Sequence, residues 1–355
     1  MSQALVRGRG AVSNPDGRYE AHERAEFDDG WGIEEAPAPL RTTATAEKAR
    51  VIIARNSSPD VSFDRSINPF RGCEHGCIYC YARPAHAYMG LSPGLDFESR
   101  LFFKPAAAAL LERELSRPGY RPAAIHIGGN TDPYQPIERR LRITRQVIEV
   151  LRRFNHPFSI ISKSALIRRD LDLLGPMGRA NLARAAISVT TLDRKLARTM
   201  EPRAATPARR LEAIAALAEA GTPTQVMFAP VIPGLNDHEL EGVLEAAAAA
   251  GAIGAGYVVL RLPLEIKDLF REWLEANAPD RARKVMSLVR QMLAGRDYDP
   301  RWAVRMKGEG PIAEIISRRF RLARRRFGLD RSFPPLSVEM FKPPSETSQM
   351  DLFGA

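Results

Sequence analysis

Cysteine is scarce in this chain. There are three among 355 residues, and all fall within Cys73-Glu74-His75-Gly76-Cys77-Ile78-Tyr79-Cys80. An odd, tightly spaced trio of thiols argues against disulfides and suits a reducing compartment. Long apolar runs are also missing, and none approaches the ~20 residues needed to span a bilayer. The first residues carry Arg7, Arg9 and Arg18 among glycines and acids, without the apolar core of a secretory signal. A cytoplasmic protein with no membrane partner is therefore expected. Acids are in deficit, 42 against 52 Lys and Arg, giving a formal charge of +10. That surplus favours an anionic partner such as nucleic acid, although a chain rich in alanine and arginine throughout acquires it from composition alone.

Three thiolates hold three corners of a cubane iron–sulfur cluster and leave the fourth iron without a protein ligand. Clusters that only carry electrons usually have four cysteines, whereas an open coordination position is what catalytic metal sites keep. Gly76 allows the loop to wrap closely around inorganic sulfide. A Cys3His zinc knuckle completed by His75 or His86 is a competing reading, and inert reduced thiols are another. Structural zinc motifs usually bring two separated ligand pairs, which this chain lacks.

With 45% hydrophobic residues, the chain can bury one large α/β domain with extensions, or two domains. Residues 1–45, rich in Gly, Pro and charge, read as a flexible N-terminal segment. Short apolar runs at 67–72, 123–128, 158–162, 186–190, 224–229 and 256–260 are bounded by turn residues, as strands are. Between them, 105–115, 137–154, 207–220 and 237–250 have helical periodicity. Thr206-Pro207 opens the third of these and Gly221 closes it; Asn236 is placed to cap the fourth. Alternating units of this kind predict parallel strands with right-handed crossovers, in a barrel or an open doubly wound sheet. Strands stop after Leu262. Residues 264–293 and 311–327 read as helices, so the expected division is a core over 46–262, a helical cap over 263–342 and a flexible tail over 343–355.

Ligands of parallel α/β folds bind at the C-terminal ends of strands, and the polar clusters fall there. The cysteine loop follows the first expected strand. Gly128-Gly129-Asn130-Thr131-Asp132-Pro133-Tyr134-Gln135-Pro136 follows the second; its glycines let a ligand approach the backbone, and Asp132 offers a carboxylate to an ammonium group. A tight turn explains the glycines equally, but not Thr131, Asp132 and Gln135 together. Ser162-Lys163-Ser164 follows the third strand, Ser188 and Thr190 end the fourth, and Glu201-Pro202-Arg203 lies beyond. Arg203 reads as a carboxylate partner or as a solvated arginine. The fifth strand leads into the rigid turn from Pro230 to Asp237.

The C-x3-C-x2-C spacing, with Tyr79 just before its last cysteine, resembles the signature of the radical S-adenosylmethionine (radical SAM) enzymes. The resemblance implies a partial (β/α)6 TIM-like barrel with a C-terminal helical extension. It implies a 4Fe-4S cluster on Cys73, Cys77 and Cys80, with S-adenosylmethionine chelating the open iron. Reduction, by a donor such as flavodoxin or ferredoxin, then releases a 5′-deoxyadenosyl radical. Tyr79 takes the family's aromatic position. Gly128, Gly129, Asn130 and Asp132 match the element that binds the methionine amino group, with Asn130 where glutamate is usual. Lys163 and Arg203 are placed for the methionine carboxylate, Ser162 and Ser188 beside them, and the Pro230 turn for adenine.

The run 131–136 and the continuation Cys80-Tyr81-Ala82-Arg83 look like the branch related to spore photoproduct lyase. Gly94-Leu95-Asp96-Phe97-Glu98 resembles bacterial relatives of that lyase, over roughly residues 50–340. This implies a lyase acting on nucleic acid in DNA repair. Those lyases use an additional cysteine to return a hydrogen atom; here all three belong to the loop, so Tyr81, Tyr88 or Tyr134 is the expected substitute. Radical SAM chemistry on a protein, peptide or RNA remains an alternative, as does a non-catalytic cluster- or zinc-containing DNA-binding factor. Asp132 and Lys163 at strand ends favour the enzyme.

Arg318, Arg319, Arg321, Arg324, Arg325 and Arg326 crowd one expected helix with no acid among them, which suggests a phosphate-backbone contact rather than a merely solvated face. The tail Gln349-Met350-Asp351-Leu352-Phe353 resembles the bacterial sliding-clamp-binding peptide. The resemblance makes Gln349, Leu352 and Phe353 the anchors presented to that partner.

Overall fold

The computed structural model describes residues 6–20 and 40–343. Six parallel strands follow one another in sheet order as in sequence: β1 (Arg65–Ile67), β2 (Ile125–Ile127), β3 (Phe158–Ser162), β4 (Ala183–Ser188), β5 (Thr224–Val231) and β6 (Gly254–Val259). Helices α1 (Ala107–Leu115), α2 (Ile143–Arg153), α3 (Leu171–Arg179), α4 (Pro207–Glu219) and α5 (Leu240–Ala249) make the crossovers. Among the described residues the sheet ends at β6 on one side and at Ile53–Arg55, antiparallel to β1, on the other. The fold is a partial (β/α)6 barrel. After it come α6 (Ile266–Asn277), α7 (Pro279–Met292) and α8 (Pro311–Arg326). Trp273 of α6 is fully buried, with its indole N–H on the Thr199 carbonyl at 3.0 Å.

Several expectations shift for local reasons. The first strand ends before Asn68-Pro69, because proline has no N–H for a ladder. Phe70–Arg71 pairs instead with Arg100–Phe103 in a second sheet, which Thr43–Ala46 completes. The expected helix over 137–154 breaks at Arg142 (φ 55°). There the buried Glu138 carboxylate accepts the Thr144 N–H at 3.1 Å and so caps α2. The helix over 264–293 divides at Ala278, before Pro279, whose ring disfavours a helical predecessor. Asn236 caps nothing. It is buried, donates to the Thr190 and Pro230 carbonyls at 2.7 and 3.0 Å, and accepts the Ile232 N–H at 2.7 Å.

Within the segment expected to be loose, 1–45, residues 6–20 are held against the core, and the strand Thr43–Ala46 straddles its boundary. Buried Glu98, on the short helix Leu95–Ser99, accepts the N–H groups of Gly10 (2.9 Å) and Ala11 (2.8 Å). The Arg9 guanidinium reaches the Glu98 carbonyl at 2.7 Å and the Thr42 hydroxyl at 2.9 Å. The carboxylate of Glu98 also pairs with Arg83, both side chains being fully buried. A charge patch in sequence, lacking apolar periodicity, is thus held by polar contacts to a buried acid.

Removing one partner of a buried ion pair strands the other charge. Glu98→Ala is expected to lower unfolding free energy by about 3–5 kcal/mol in denaturant titration, and a loss below about 1 kcal/mol would remove this role. A second expectation concerns acid. Burial holds His86, His126 and His156 down to about 4. These groups are neutral when folded and bind protons on unfolding near their ordinary value, so stability is full above about pH 6.5 and falls as pH drops toward 4. For the fully buried His86 and His156 the slope is up to about 1.4 kcal/mol per pH unit each. Thermal melts between pH 7 and 4.5 should track downward; a flat melting temperature would contradict neutral burial.

Candidate active site

The cysteine loop crosses the C-terminal mouth of the barrel and is fixed from several sides. The Cys73 N–H donates to the Phe97 carbonyl (3.0 Å), and the Ile78 N–H to the Met200 carbonyl (3.0 Å). Arg83 spends its whole donor fork within reach of the loop. Nε meets the Cys77 carbonyl at 2.9 Å, Nη1 those of Pro93 and Gly94 at 3.0 and 2.9 Å, and Nη2 that of Gly76 at 3.1 Å, together with Glu98. Gly76 (φ 68°) faces the Glu98 carboxylate, and a Cβ there would lie 2.6 Å from it. The N-terminal segment covers the loop so closely that a Cβ on Gly10 would fall 1.8 Å from the Gly76 carbonyl oxygen.

Burial pushes the Cys73 and Cys77 thiols well up, with Asp132 adding to the first and Glu201 to the second. Cys80 also rises, mainly by burial. Thiolates in such a place need added positive charge, which a bound metal centre brings. Among the described residues no three His, Cys, Asp or Glu side chains converge as a mononuclear site requires. Three thiols on one loop fit a cubane, in which each thiolate takes a different iron.

Asp132 proves to be a strut. Its carboxylate accepts from the Ser162 hydroxyl and the Lys163 N–H at 2.7 Å each and from the Tyr134 N–H at 2.8 Å, and faces His75 Nδ1 at 3.4 Å. Burial would raise its pKa, but the charge and hydrogen bond of His75 and the other donors bring it below the usual range. Asp132 and Ser162 therefore join the glycine-rich turn, β3 and the cysteine loop. Gly128 (φ 94°) has no space for a side chain, since a Cβ would meet the Ile161 carbonyl oxygen at 2.6 Å. The Gly129 carbonyl accepts the Tyr81 hydroxyl, and the Asn130 N–H donates to the Asn68 side chain at 2.9 Å.

Lys163 reaches into the mouth, with its ammonium 5.5 Å from the centroid of the Tyr79 ring. It donates to the Thr190 hydroxyl (3.2 Å) and the Ala229 carbonyl (3.1 Å), and pairs with Glu201 at 3.3 Å. Burial, opposed by Cys77, brings its pKa down to about 8. Buried Glu201 also takes the Tyr79 hydroxyl, the Thr190 hydroxyl (2.7 Å) and the guanidinium of Arg210. Ser188 is buried at the end of β4, where its carbonyl accepts from Arg210 at 3.1 Å. Arg203 lies on the other flank, its guanidinium 3.0 Å from Glu74 and its N–H on the His75 carbonyl at 3.2 Å, so it braces the loop.

The three tyrosines separate. Tyr81 stands beside Cys80, 45% exposed, with the Arg261 guanidinium 5.0 Å from its ring centroid. Tyr88 is exposed and stacked on Tyr19 at 5.4 Å. Tyr134 is buried, and its hydroxyl donates to Asp170 at 3.0 Å in the helical layer beside Arg169. Only Tyr81 of the three borders the cysteine loop and glycine-rich turn together. The arginine patch contracts too. Arg319 is bound bidentately by Glu241 (2.8 and 2.6 Å) and Arg324 holds the Leu329 carbonyl at 3.0 Å, leaving Arg318, Arg321, Arg325 and Arg326 exposed. Gln349, Leu352 and Phe353 lie outside the described residues.

The family model for the radical SAM superfamily matches residues 67–247. An uncharacterized protein of Mycobacterium tuberculosis is 37% identical over 243 residues, covering 67% of this chain and 72% of its own length. One from Methanocaldococcus jannaschii is 24% identical over 214 residues, 60% of this chain and 76% of its own. Among solved structures, a spore photoproduct lyase variant aligns with TM-score 0.57 at 14% identity, over 81% of this chain and 79% of that one. Spore photoproduct lyase complexed with dinucleoside spore photoproduct aligns with TM-score 0.50 at 16% identity, over 66% of each. At these identities the structures establish a shared fold. A thiol trio at the mouth of such a barrel, within a family match spanning half its length, places this chain in the radical SAM superfamily, whose members use a 4Fe-4S cluster and S-adenosylmethionine.

Proposed function

We propose that the chain is an enzyme of the spore photoproduct lyase-related branch that cleaves S-adenosylmethionine and acts on nucleic acid, in DNA repair within the cytoplasm. The observation that carries this reading is the placement of Cys73, Cys77 and Cys80 on one loop at the strand ends, fastened by Arg83. These cysteines would hold the cluster. When bound, the cluster and S-adenosylmethionine supply a 5′-deoxyadenosyl radical after reduction by a donor such as flavodoxin or ferredoxin. Arg83 and Glu98 keep the loop in one shape, and Asp132 and Arg203 brace it through His75 and Glu74. The backbone of Gly128, Gly129 and Asn130 and the ammonium of Lys163 border the space where the methionine end of the cosubstrate would be held. Tyr79, Thr190 and Glu201 fix that lysine.

Nucleic acid as substrate is supported by the net charge and by the four exposed arginines of α8. It is also supported by the fold shared with a lyase solved with a dinucleoside photoproduct. Tyr81 is assigned the hydrogen-atom relay because it borders both Cys80 and Gly129. Gln349, Leu352 and Phe353 would tether the enzyme to the sliding clamp, which suits a repair role.

Anaerobic reconstitution with iron and sulfide, followed by dithionite and S-adenosylmethionine, is expected to give a reduced 4Fe-4S resonance that changes on adding the cosubstrate, with release of 5′-deoxyadenosine. Cys77→Ala should lose both, and Tyr81→Phe should keep both while losing product. A protein that binds one zinc and gives neither signal would leave the DNA-binding alternative. For α8, replacing Arg318, Arg321, Arg325 and Arg326 by Ala should flatten the plot of log affinity for duplex DNA against log salt by about 0.9 for each phosphate no longer neutralised. An unchanged slope would take the patch out of the interface.

A further inference from the structure

The rim next to Tyr81 carries a second set of side chains that the cysteine loop and the glycine-rich turn do not use. Arg261 follows β6 and stacks against Tyr81; its Nη1 lies 3.5 Å from the Met306 sulfur, and its Nε is buried without a partner. The adjoining segment 302–307 spans the gap between the two sheet edges. On one side the Ala303 N–H donates to Asp60 at 2.6 Å and Arg305 reaches Asp60 and the Ser58 hydroxyl (3.0 Å), in the loop before β1. On the other, Lys307 donates to the Tyr257 carbonyl of β6 at 2.8 Å.

Ala303 holds φ 62°, ψ −52°, and the Val304 N–H closes onto the Trp302 carbonyl at 2.8 Å. This is the positive-φ γ-turn, rare and strained for a residue with a Cβ. Such conformations persist where surroundings over-determine them, and they gather at functional sites. Here the turn projects Trp302, which is 53% exposed. The guanidinium carbon of Arg305 lies 3.9 Å from the ring centroid, so the half-exposed indole has a cation against one face. A flat, rigidly backed, half-exposed aromatic surface at the rim is the chemistry on which an unpaired nucleobase stacks.

We propose that Trp302, backed by Arg305, is a stacking platform for an unpaired base of the substrate strand. This rests on nucleic acid being the substrate and adds where the strand leaves the mouth. The test uses the full-length reconstituted protein and fluorescence anisotropy with two labelled single strands of equal length and charge, one of mixed sequence and one abasic. Trp302→Ala is expected to weaken binding of the mixed-sequence strand about 5- to 100-fold, leave the abasic strand unchanged, and be largely rescued by Trp302→Phe. Equal affinity of wild type and Trp302→Ala for the mixed-sequence strand overturns the platform, as does an equal loss on both strands. Failure of wild type to bind either strand overturns the nucleic-acid reading itself, and the platform with it.

Discussion

The buried pair of Arg83 and Glu98 is the constraint on which the site depends. Taking two charges out of water costs several kcal/mol per ion unless every donor and acceptor is used. Here the use is complete on the arginine side, where all five N–H groups find oxygen, four loop carbonyls and one carboxylate. The glutamate answers with the backbone of Gly10 and Ala11. One pair therefore joins three stretches of chain, and the cysteine loop is where they meet. Such an arrangement favours a single loop shape more than it favours overall stability.

A second buried acid works from the opposite side. Glu201 gathers Tyr79, Thr190, Lys163 and Arg210, so the aromatic neighbour of Cys80 and the lysine that faces its ring are set by one carboxylate. Burial, with Asp132 adding at Cys73 and Glu201 at Cys77, leaves these two thiols in a dry setting in which the uncharged form is preferred. An occupant carrying positive charge relieves that bias. The loop's preference for a metal centre is thus written in its electrostatics as well as in its three donors.

The alternation of β-rich runs with helical periodicity identified five of the six parallel strands and four of the five crossover helices, because both periods survive in a chain whose sheet is covered by helices on its outer face. The errors came where local propensity yielded to a contact distant in sequence. Asn236 has the chemistry of a cap but is drawn inward to Thr190. Arg203 and Asp132, which have the chemistry of ligand groups, also hold neighbouring residues of the chain, contacts that sequence alone does not reveal. Arg83, Glu98, Glu201 and Arg210 carry no periodic signal, since a buried charge pair is recognisable only when its partner is known. Residues 6–20 misled for the same reason, being polar and glycine-rich because they lie on a carboxylate and on backbone.

The contact between Gly10 and Gly76 has a consequence for the order in which the molecule is made. Two residues well apart in sequence touch where neither tolerates a Cβ, and the carboxylate that joins them lies later still, at residue 98. A ribosome releases the covering strand first, then the thiols, and only afterwards the acid that locks both. Until that acid arrives, the entropy of closing so long a loop keeps the covering strand away. The close approach of Gly10 to Gly76 is therefore locked only once the whole stretch from residue 10 to residue 98 is present, although the two surfaces it joins are complete by residue 80.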